Sequence, residues 1–162
     1  MTKNTCSAVF NANGRKMNKG EFIEMALAVN GFGIRGYRKY STAYYTASDI
    51  EVNGERFSVK SNQASLSDLL VTTKNNEVGK LAIVESYMAT TNSTQFIYAS
   101  HIEDTIVYYT MSREEFRQFM LDLWVLCAKS SKKSKSGQTE YKLRIRKADS
   151  IVIKYLEERI IK

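Results

Sequence analysis

The sequence predicts a single α/β (α+β) domain, residues 1–162, with a mixed central β-sheet that contains a β-hairpin and is flanked by helices. Its 162 residues match the length of one ordinary domain and are enough to bury a core. The composition, 43% hydrophobic and 11% aromatic, is that of a folded chain. Segments with helical spacing alternate with short β-rich segments in the order helix, hairpin, strands, helix, strand, helix, and this order favours a mixed sheet.

The first predicted helix is the segment NKGEFIEMALAVNGF. Asn18 can cap its start, Glu21 occupies the third helical position, and Gly31 can end it. Its apolar residues form one broad stripe: Phe22, Ile23, Met25, Ala26, Leu27 and Val29. The stripe and the two end signals together predict a helix.

The middle of the chain is predicted to supply the hairpin and most strands. GIRGYRKYSTAYYTAS, rich in aromatic and positively charged residues, is interpreted as a loop that leads into a strand. Asn53-Gly54 then joins two apolar-alternating runs. The segment ASLSDLLVTT is interpreted as a short helix, and two or three strands are predicted in the β-branched or aromatic segments GKLAIVESYMA, TQFIYAS and DTIVYYT.

The C-terminal part is predicted to contain two helices and one strand. Ser112 and Glu115 form a capping box at the start of SREEFRQFMLDLWVLCAK, and apolar residues, Cys127 among them, repeat along it at helical spacing. SSKKSKSGQ is a polar, basic break, after which EYKLRIRK predicts a strand and ADSIVIKYLEERIIK a helix.

The composition lacks the residues that several functional classes require. Two cysteines, Cys6 and Cys127, indicate neither a disulfide framework nor a zinc cluster, and His101 is the single histidine. No apolar run approaches membrane-spanning length, and the first residues lack the pattern of a secretory signal. We therefore expect a cytoplasmic protein that has no membrane partner.

The formal charge of +7 is unevenly distributed along the chain. Residues 1–40 carry seven positive and two negative side chains, and residues 129–147 carry eight positive and one negative. Residues 41–128 carry six positive and eleven negative. An acidic centre between basic segments suits a protein that holds a polyanion at its edges and a divalent cation at its centre, although many small basic domains do not bind nucleic acid.

The Asn53-Gly54 turn predicts the register of the hairpin. A type I′ turn needs positive φ at both central positions, which these residues tolerate. With a two-residue turn, Asp49 lies opposite Ser58 and Ile50 lies opposite Phe57. One face then carries Ile50, Val52, Phe57 and Val59, and the other carries Asp49, Glu51, Ser58 and Lys60.

The helix and hairpin together resemble a known superfamily. A helix with the pattern Gly-Glu-x-x-Glu, starting at Gly20, precedes a strand with Asp49 and a paired strand that carries Val59-Lys60. This arrangement, over about residues 18 to 72, resembles the PD-(D/E)xK nucleases, which include restriction endonucleases and archaeal Holliday-junction resolvases. The resemblance implies a restriction-endonuclease-like fold.

The resemblance also implies a metal site. Asp49 matches the metal-binding aspartate, Lys60 matches the lysine, and Glu24, in preference to Glu21, matches a carboxylate that some members place on the first helix. Ser48 stands where proline is common. The implied cofactor is Mg²⁺ or Mn²⁺.

Ser58 stands where the second acidic residue of the motif is expected, although Mg²⁺ favours anionic oxygens. Some restriction enzymes of the superfamily carry Ser-x-Lys and take the missing glutamate from a following helix. Four carboxylates are candidates for this role here: Glu24, Glu51, Asp68 and Glu77. We prefer Glu24 or Glu77 as the second metal ligand, because Glu51 lies one pleat along the strand from Asp49.

The implied chemistry is phosphodiester hydrolysis by a DNA endonuclease of the restriction-like or junction-resolving kind. Carboxylates would fix the metal, and Lys60 would orient water and offset charge in the transition state. The residues expected to contact nucleic acid are Arg35, Tyr37, Arg38, Lys39, Lys132, Lys133 and Lys135. A homodimer is expected, because cutting two strands needs two sites.

Two other interpretations remain open at this stage. If Ser58 marks a lost metal site, the protein is a catalytically inactive nucleic-acid-binding or regulatory module on the same fold. Alternatively, the tyrosine-rich surface binds a protein partner and the charge distribution is incidental. An Asp-Lys hairpin face is itself more often solvated than catalytic.

Overall fold

The structure is a computed structural model that describes residues 1–12, 14, 16–34, 48–61, 68–73, 80–123, 127–133, 139–145 and 148–161. Eight strands lie in these ranges: β1 (Thr2–Ser7), β2 (Ile50–Val52), β3 (Glu55–Ser61), β4 (Asp68–Thr73), β5 (Gln95–Ile102), β6 (Thr105–Ser112), β7 (Cys127–Lys133) and β8 (Thr139–Ile145). Four α-helices accompany them: α1 (Lys19–Ala26), α2 (Lys80–Thr90), α3 (Arg113–Leu123) and α4 (Ala148–Ile160). The described residues therefore form a mixed α/β protein.

The main sheet has five strands in the order β1-β6-β5-β3-β2. β3 and β5 are parallel, with Val59 beside Ile97 and Lys60 beside Tyr98, and the other pairs are antiparallel. A second, three-stranded sheet has the order β4-β8-β7. The expected mixed sheet with a hairpin is thus confirmed.

Helices pack on both faces of the main sheet, as the sequence predicts. On one face, α1 and the π-helical turn that follows it bury a core whose members include Ile23, Leu27, Ile50, Phe57 and Ile97. On the other face, α2, α3 and α4 bury a second core, which includes Val84, Phe96, Phe116, Phe119 and Leu156. Asp49, Ser58 and Lys60 alternate with the first core's residues along the hairpin.

Both predicted helix caps are present. Asn18 Oδ1 accepts a hydrogen bond from the Glu21 N–H at 2.8 Å, which caps α1. At α3, the Ser112 N–H donates to Glu115 Oε1 at 3.1 Å, and the Glu115 N–H donates to Ser112 Oγ at 3.2 Å. The helical turn after α1 ends at Gly31, where an added Cβ would lie 3.2 Å from the Tyr108 hydroxyl.

The hairpin register is also confirmed. Asn53 has a φ of 50° and Gly54 a φ of 83°, as a type I′ turn requires. Ile50 pairs with Phe57, and Glu51 pairs with Arg56. The local turn chemistry therefore determines which side chains share a face.

Three secondary-structure predictions are wrong. The segment GKLAIVESYMA was predicted as a strand, but residues 80–90 form α2, because Val84, Tyr87 and Met88 recur at helical spacing and are buried together. The segment ASLSDLLVTT was predicted as a helix, but residues 68–73 form β4 and pair with β8. In both segments, pairing or packing with distant residues overrides local propensity.

The third error lies after α3. Cys127 was predicted to lie on the apolar face of this helix and the following lysines in a break, but Cys127–Lys133 form β7, which pairs with β8. In addition, Thr2–Ser7, for which the sequence predicted no element, form the edge strand β1.

Hydroxyl groups attach α4 to the main sheet. The Tyr98 hydroxyl donates to Asp149 Oδ1 at 3.0 Å, and the Ser100 hydroxyl donates to Asp149 Oδ2 at 2.5 Å. Further along the helix, the Tyr109 hydroxyl donates to Glu157 Oε1 at 2.6 Å. Burial and the neighbouring Asp149 together raise the pKa of Tyr98 far above its ordinary value, so its hydroxyl is a permanent donor.

Candidate active site

Asp49 directly precedes β2, and β3 fixes both its backbone and its side chain. The Asp49 N–H donates to the Phe57 carbonyl at 2.8 Å, and the Val59 N–H donates to Asp49 Oδ2 at 2.8 Å. The carboxylate is therefore turned toward the strand that carries Lys60. A backbone donor on a carboxylate oxygen fixes the orientation of the carboxylate.

Lys60 lies near the C-terminal end of β3, and three side chains from other elements influence its ammonium group. Its pKa lies above the ordinary value because Tyr87 on α2 favours the charged form. Burial opposes that effect, while Asp49 and Glu24 add to it, and Tyr87 also forms a hydrogen bond with the lysine. The structure thus brings Glu24, Asp49, Lys60 and Tyr87 together.

Glu24 reaches this group from α1, on the opposite layer from α2. It is 8% exposed, although glutamate is among the residues that are rarely buried without a charged neighbour. The dipole of α1 does not account for Glu24, since this residue lies in the second turn. The positive charge of Lys60 offsets part of the cost of this burial.

Ser58 is buried, 5% exposed, and lies beside Phe96 of the neighbouring strand. In the motif that the sequence resembles, an acidic side chain is expected there. The serine is uncharged, so this position of β3 lacks the carboxylate of the motif.

The other carboxylates considered from the sequence have different positions. Glu51 is exposed on β2 and pairs with Arg56 in the ladder. Glu21 lies in the first turn of α1, where a negative charge interacts favourably with the helix dipole. Asp68 begins β4, within the second sheet, and Glu77 lies outside the described residues.

The residues expected to contact nucleic acid are mostly in segments that are not described. Arg35, Tyr37, Arg38, Lys39 and Lys135 lie outside the described residues. Lys132 and Lys133 lie on β7, so the basic segment is in part a paired strand and not the loop expected from its composition.

Tyr87 is a site residue that the sequence did not indicate. Its segment was predicted as a strand, which gave no reason to place it beside Lys60. The spacing of Val84, Tyr87 and Met88 is the signal that would have placed Tyr87 on the buried face of a helix.

Asp49 and Glu24 carry the kind of oxygen that a hard divalent cation prefers. The described parts of the chain contain no group of three or more His, Cys, Asp or Glu side chains that could hold a metal. However, Mg²⁺ keeps several waters and is commonly held by one or two carboxylates together with substrate phosphate oxygens. Asp49 and Glu24, both close enough to act on Lys60, can supply such a pair.

His101 is occupied by contacts of its own. Its Nε2 lies 2.8 Å from the Glu103 carbonyl, and its ring stacks on Phe22 with centroids 5.7 Å apart. It also lines a surface cavity of about 240 Å³ at the start of α1. These contacts explain the position of His101 without a catalytic role.

Comparison with protein-family models, with curated proteins and with solved structures finds no match to this chain. Among the helices that the structure describes, none has both the length and the apolar composition needed to cross a lipid bilayer. The fold and the candidate site therefore define a mixed α/β protein with a cluster of two carboxylates, a lysine and a tyrosine.

Proposed function

We propose that the protein is a Mg²⁺-dependent DNA endonuclease that hydrolyses phosphodiester bonds, with a restriction-endonuclease-like fold. One observation carries the proposal: Glu24 from α1 and Asp49, which precedes β2, both act on the ammonium of Lys60 on β3, the strand whose Val59 N–H binds Asp49. Their order along the chain is the order that the resemblance implies. Mn²⁺ is the expected substitute for Mg²⁺.

The topology around the hairpin supports the proposal. β3 is followed, after β4, by helix α2 and by the parallel strand β5. Functional groups in α/β sheets gather at the carboxyl ends of parallel strands. Lys60 lies one residue before the end of β3, and α2 contributes Tyr87 to the same place.

Each residue of the cluster has a chemical role in the proposed reaction. Asp49 and Glu24 would hold Mg²⁺, which when bound lowers the pKa of coordinated water and polarises the phosphate. The Lys60 ammonium would offset the negative charge that develops on the phosphate oxygens. The Val59 N–H keeps Asp49 oriented before substrate arrives, and the Tyr87 hydroxyl keeps Lys60 beside the two carboxylates.

The expected nucleic-acid contacts and the dimer belong to the same proposal. Residues 1–40 have a net charge of +5 and residues 129–147 a net charge of +7. Such segments bind a phosphate backbone without reading its sequence, and salt weakens that binding. A homodimer would provide two sites for the two strands, and a cytoplasmic location stays a prediction.

One observation favours a second candidate function. Ser58 places a small buried side chain where the motif has an acid, and a metal site with one carboxylate fewer binds its ion less tightly. On this alternative, the same fold binds nucleic acid without cutting it. The two functions differ in one measurable property, metal-dependent cleavage.

The deciding experiment is a supercoiled-plasmid nicking assay with Mg²⁺ or Mn²⁺. We expect Asp49→Ala and Lys60→Ala to reduce the nicking rate at least about 100-fold, the scale on which loss of a transition-state contact acts. Glu51→Ala is the matched control, because it removes an exposed carboxylate from the same hairpin. It should nick within about twofold of the wild type, as expected for a surface substitution away from the site.

Two results of this assay would contradict the proposal. A wild-type protein that binds DNA in a salt-sensitive manner, yet never nicks it with either metal, would be the inactive module. Equal losses of activity in Asp49→Ala and Glu51→Ala would show that the hairpin acts through its fold and not through Asp49.

A further inference from the structure

The residue before Asp49 forms contacts that do not belong to the hairpin. The Ser48 hydroxyl donates to Asn92 Oδ1 at 3.1 Å and lies 3.0 Å from the Ser93 hydroxyl. Asn92 and Ser93 lie in the loop between α2 and β5. Ser48 thus connects the start of β2 to an element that is more than 40 residues away in sequence.

This loop is itself held in place from two sides. The Arg113 guanidinium donates from Nη1 to the Thr91 carbonyl at 2.9 Å and to the Ser93 carbonyl at 2.8 Å. The Thr94 N–H donates to the Arg56 carbonyl of β3 at 2.9 Å. Ser93 is fully buried. The Ser48 hydroxyl is therefore hydrogen-bonded to a loop whose position is fixed.

β2 alone is a weak support for Asp49. This strand is three residues long and lies at the edge of the sheet, and Asp49 precedes its first residue. Strand ends open more readily than strand centres, because they have fewer neighbouring hydrogen bonds. A contact on the outer side of Asp49 would therefore add to the two hydrogen bonds with β3 that hold this residue.

We propose that Ser48 is a positioning residue, which holds Asp49 in place through its hydrogen bonds to Asn92 and Ser93. Its importance for catalysis rests on the proposed nuclease function, because a metal ligand has to be held within about 0.5 Å of its productive position. In the nucleases that the sequence resembles, a proline is common at this position, and its ring would restrict the chain. Here a hydroxyl and a buried loop achieve the same restriction.

The experiment compares three variants. Ser48→Ala removes the hydroxyl, and Ser48→Thr retains it. Ser7→Ala is the matched control, since it removes a serine hydroxyl that accepts one hydrogen bond, from the Val9 N–H at 3.0 Å, at the end of β1. Two measurements are made on each: hydrogen exchange of the Val59 amide by NMR, and the Mn²⁺ concentration that gives half-maximal plasmid nicking.

We expect Ser48→Ala to speed exchange of the Val59 amide about 10-fold, while the amides of β5 and β6 exchange as in the wild type. The Mn²⁺ concentration for half-maximal nicking should rise about 10-fold, with the rate at saturating Mn²⁺ within about twofold. Ser48→Thr should keep both the Val59 exchange rate and the half-maximal Mn²⁺ concentration at their wild-type values, and so should Ser7→Ala.

Unchanged exchange of Val59 in Ser48→Ala would overturn the inference. Equal acceleration of every amide would overturn it too, because Ser48 would then contribute to overall stability and not to the position of Asp49. The exchange measurement needs no enzymatic activity. A wild-type protein that never nicks DNA would therefore refute the nuclease proposal, while Val59 exchange still decides whether Ser48 positions Asp49.

Discussion

Carboxylates lie beside the main sheet in two regions, on α4 and at the hairpin, and their charge is compensated differently in each. On α4, Asp149 receives hydrogen bonds from the Tyr98 and Ser100 hydroxyls, whereas Glu157 receives one from the Tyr109 hydroxyl and one from the Lys3 ammonium. Both donors to Asp149 are neutral hydroxyl groups. The charge of Asp149 is thus spread over fixed contacts that join the helix to the sheet, which is a structural use of a carboxylate.

At the hairpin, Glu24 and Asp49 instead lie close enough to act on the ammonium of Lys60. An ammonium attracts any anion, including a phosphate oxygen, so this arrangement can be used by a ligand in a way that the hydroxyl contacts of α4 cannot. If the proposed function holds, the hairpin cluster serves activity, whereas the contacts of Asp149 serve stability. Substitutions in each region should therefore affect different measurements.

The largest expected effect is on activity at the hairpin. Glu24→Gln should lower the nicking rate at least about 100-fold, since it removes a charged metal ligand while retaining the shape of the side chain. The free energy of unfolding should change by less than about 2 kcal/mol, because Lys60 keeps Asp49 and Tyr87 beside it. Plasmid nicking and urea unfolding measure the two quantities.

Glu21→Gln is the matched control for this substitution, because Glu21 lies one turn earlier on the same helix. It should nick within about twofold of the wild type. If Glu24→Gln nicks as fast as the wild type, Glu24 is not a ligand, and Glu77 becomes the candidate for the second carboxylate.

The next largest effect is on stability at α4. Asp149→Ala leaves the buried hydroxyls of Tyr98 and Ser100 without their acceptor, which should lower the free energy of unfolding by about 3 kcal/mol. Nicking below the unfolding transition should stay within about twofold. Urea unfolding at pH 7 checks the first value, and the nicking assay checks the second.

Glu158→Ala removes an exposed carboxylate from the same helix and should change stability by less than about 0.5 kcal/mol. If Asp149→Ala instead abolishes nicking and leaves the free energy of unfolding unchanged, the comparison is wrong and the active site lies at α4.

The smallest expected effect depends on pH. Burial alone raises the pKa of Asp122, but hydrogen bonds from Tyr155, Gln118 and Arg159 outweigh it and hold the pKa below the ordinary value. A carboxyl with a depressed folded pKa stabilises the fold above its unfolded pKa, about 3.9 for aspartate. That stabilisation is lost as the pH falls through the folded value.

Tyr155→Phe removes the hydrogen bond of 2.6 Å to Asp122. The variant should be less stable than the wild type at pH 7, and the difference should narrow as the pH falls below about 4. Urea midpoints at pH 7, 4 and 3 measure it. Tyr108→Phe, in the opposite core, is the control, and its difference in stability from the wild type should not vary with pH. If the difference for Tyr155→Phe is also constant with pH, the Tyr155 hydroxyl does not lower the pKa of Asp122.

The parts of the fold that the sequence predicted are those determined by neighbouring residues. The turn at Asn53-Gly54 needs only its own two residues to set the hairpin register, and the caps at Asn18 and Ser112 need only the next turn of helix. The pairing of Asp49 with β3 followed directly from that register. Glu24 could be named because its position on the first helix matches a known pattern.

The rest depends on contacts between distant parts of the chain. The segment of Tyr87 has a composition that suits a strand or a helix, and only packing against the sheet selects the helix. The contact between Ser48 and Ser93 joins residues 45 apart, so no local pattern indicates it. β4 forms where β8 pairs with it, although its own residues were also compatible with a helix.

The position of β1 has a consequence for synthesis of the protein. Thr2 pairs with Thr110, and Ser7 pairs with Thr105. At about 5–20 residues per second, the ribosome needs roughly 5 to 20 s to make β6 after it has made β1. During that interval β1 lacks its partner strand. Once β6 has been made, its edge stays open until β1 pairs with it. A chaperone that binds extended segments would find its substrate at this stage, in residues 1–7 or in β6, and no longer find it once the two strands have met.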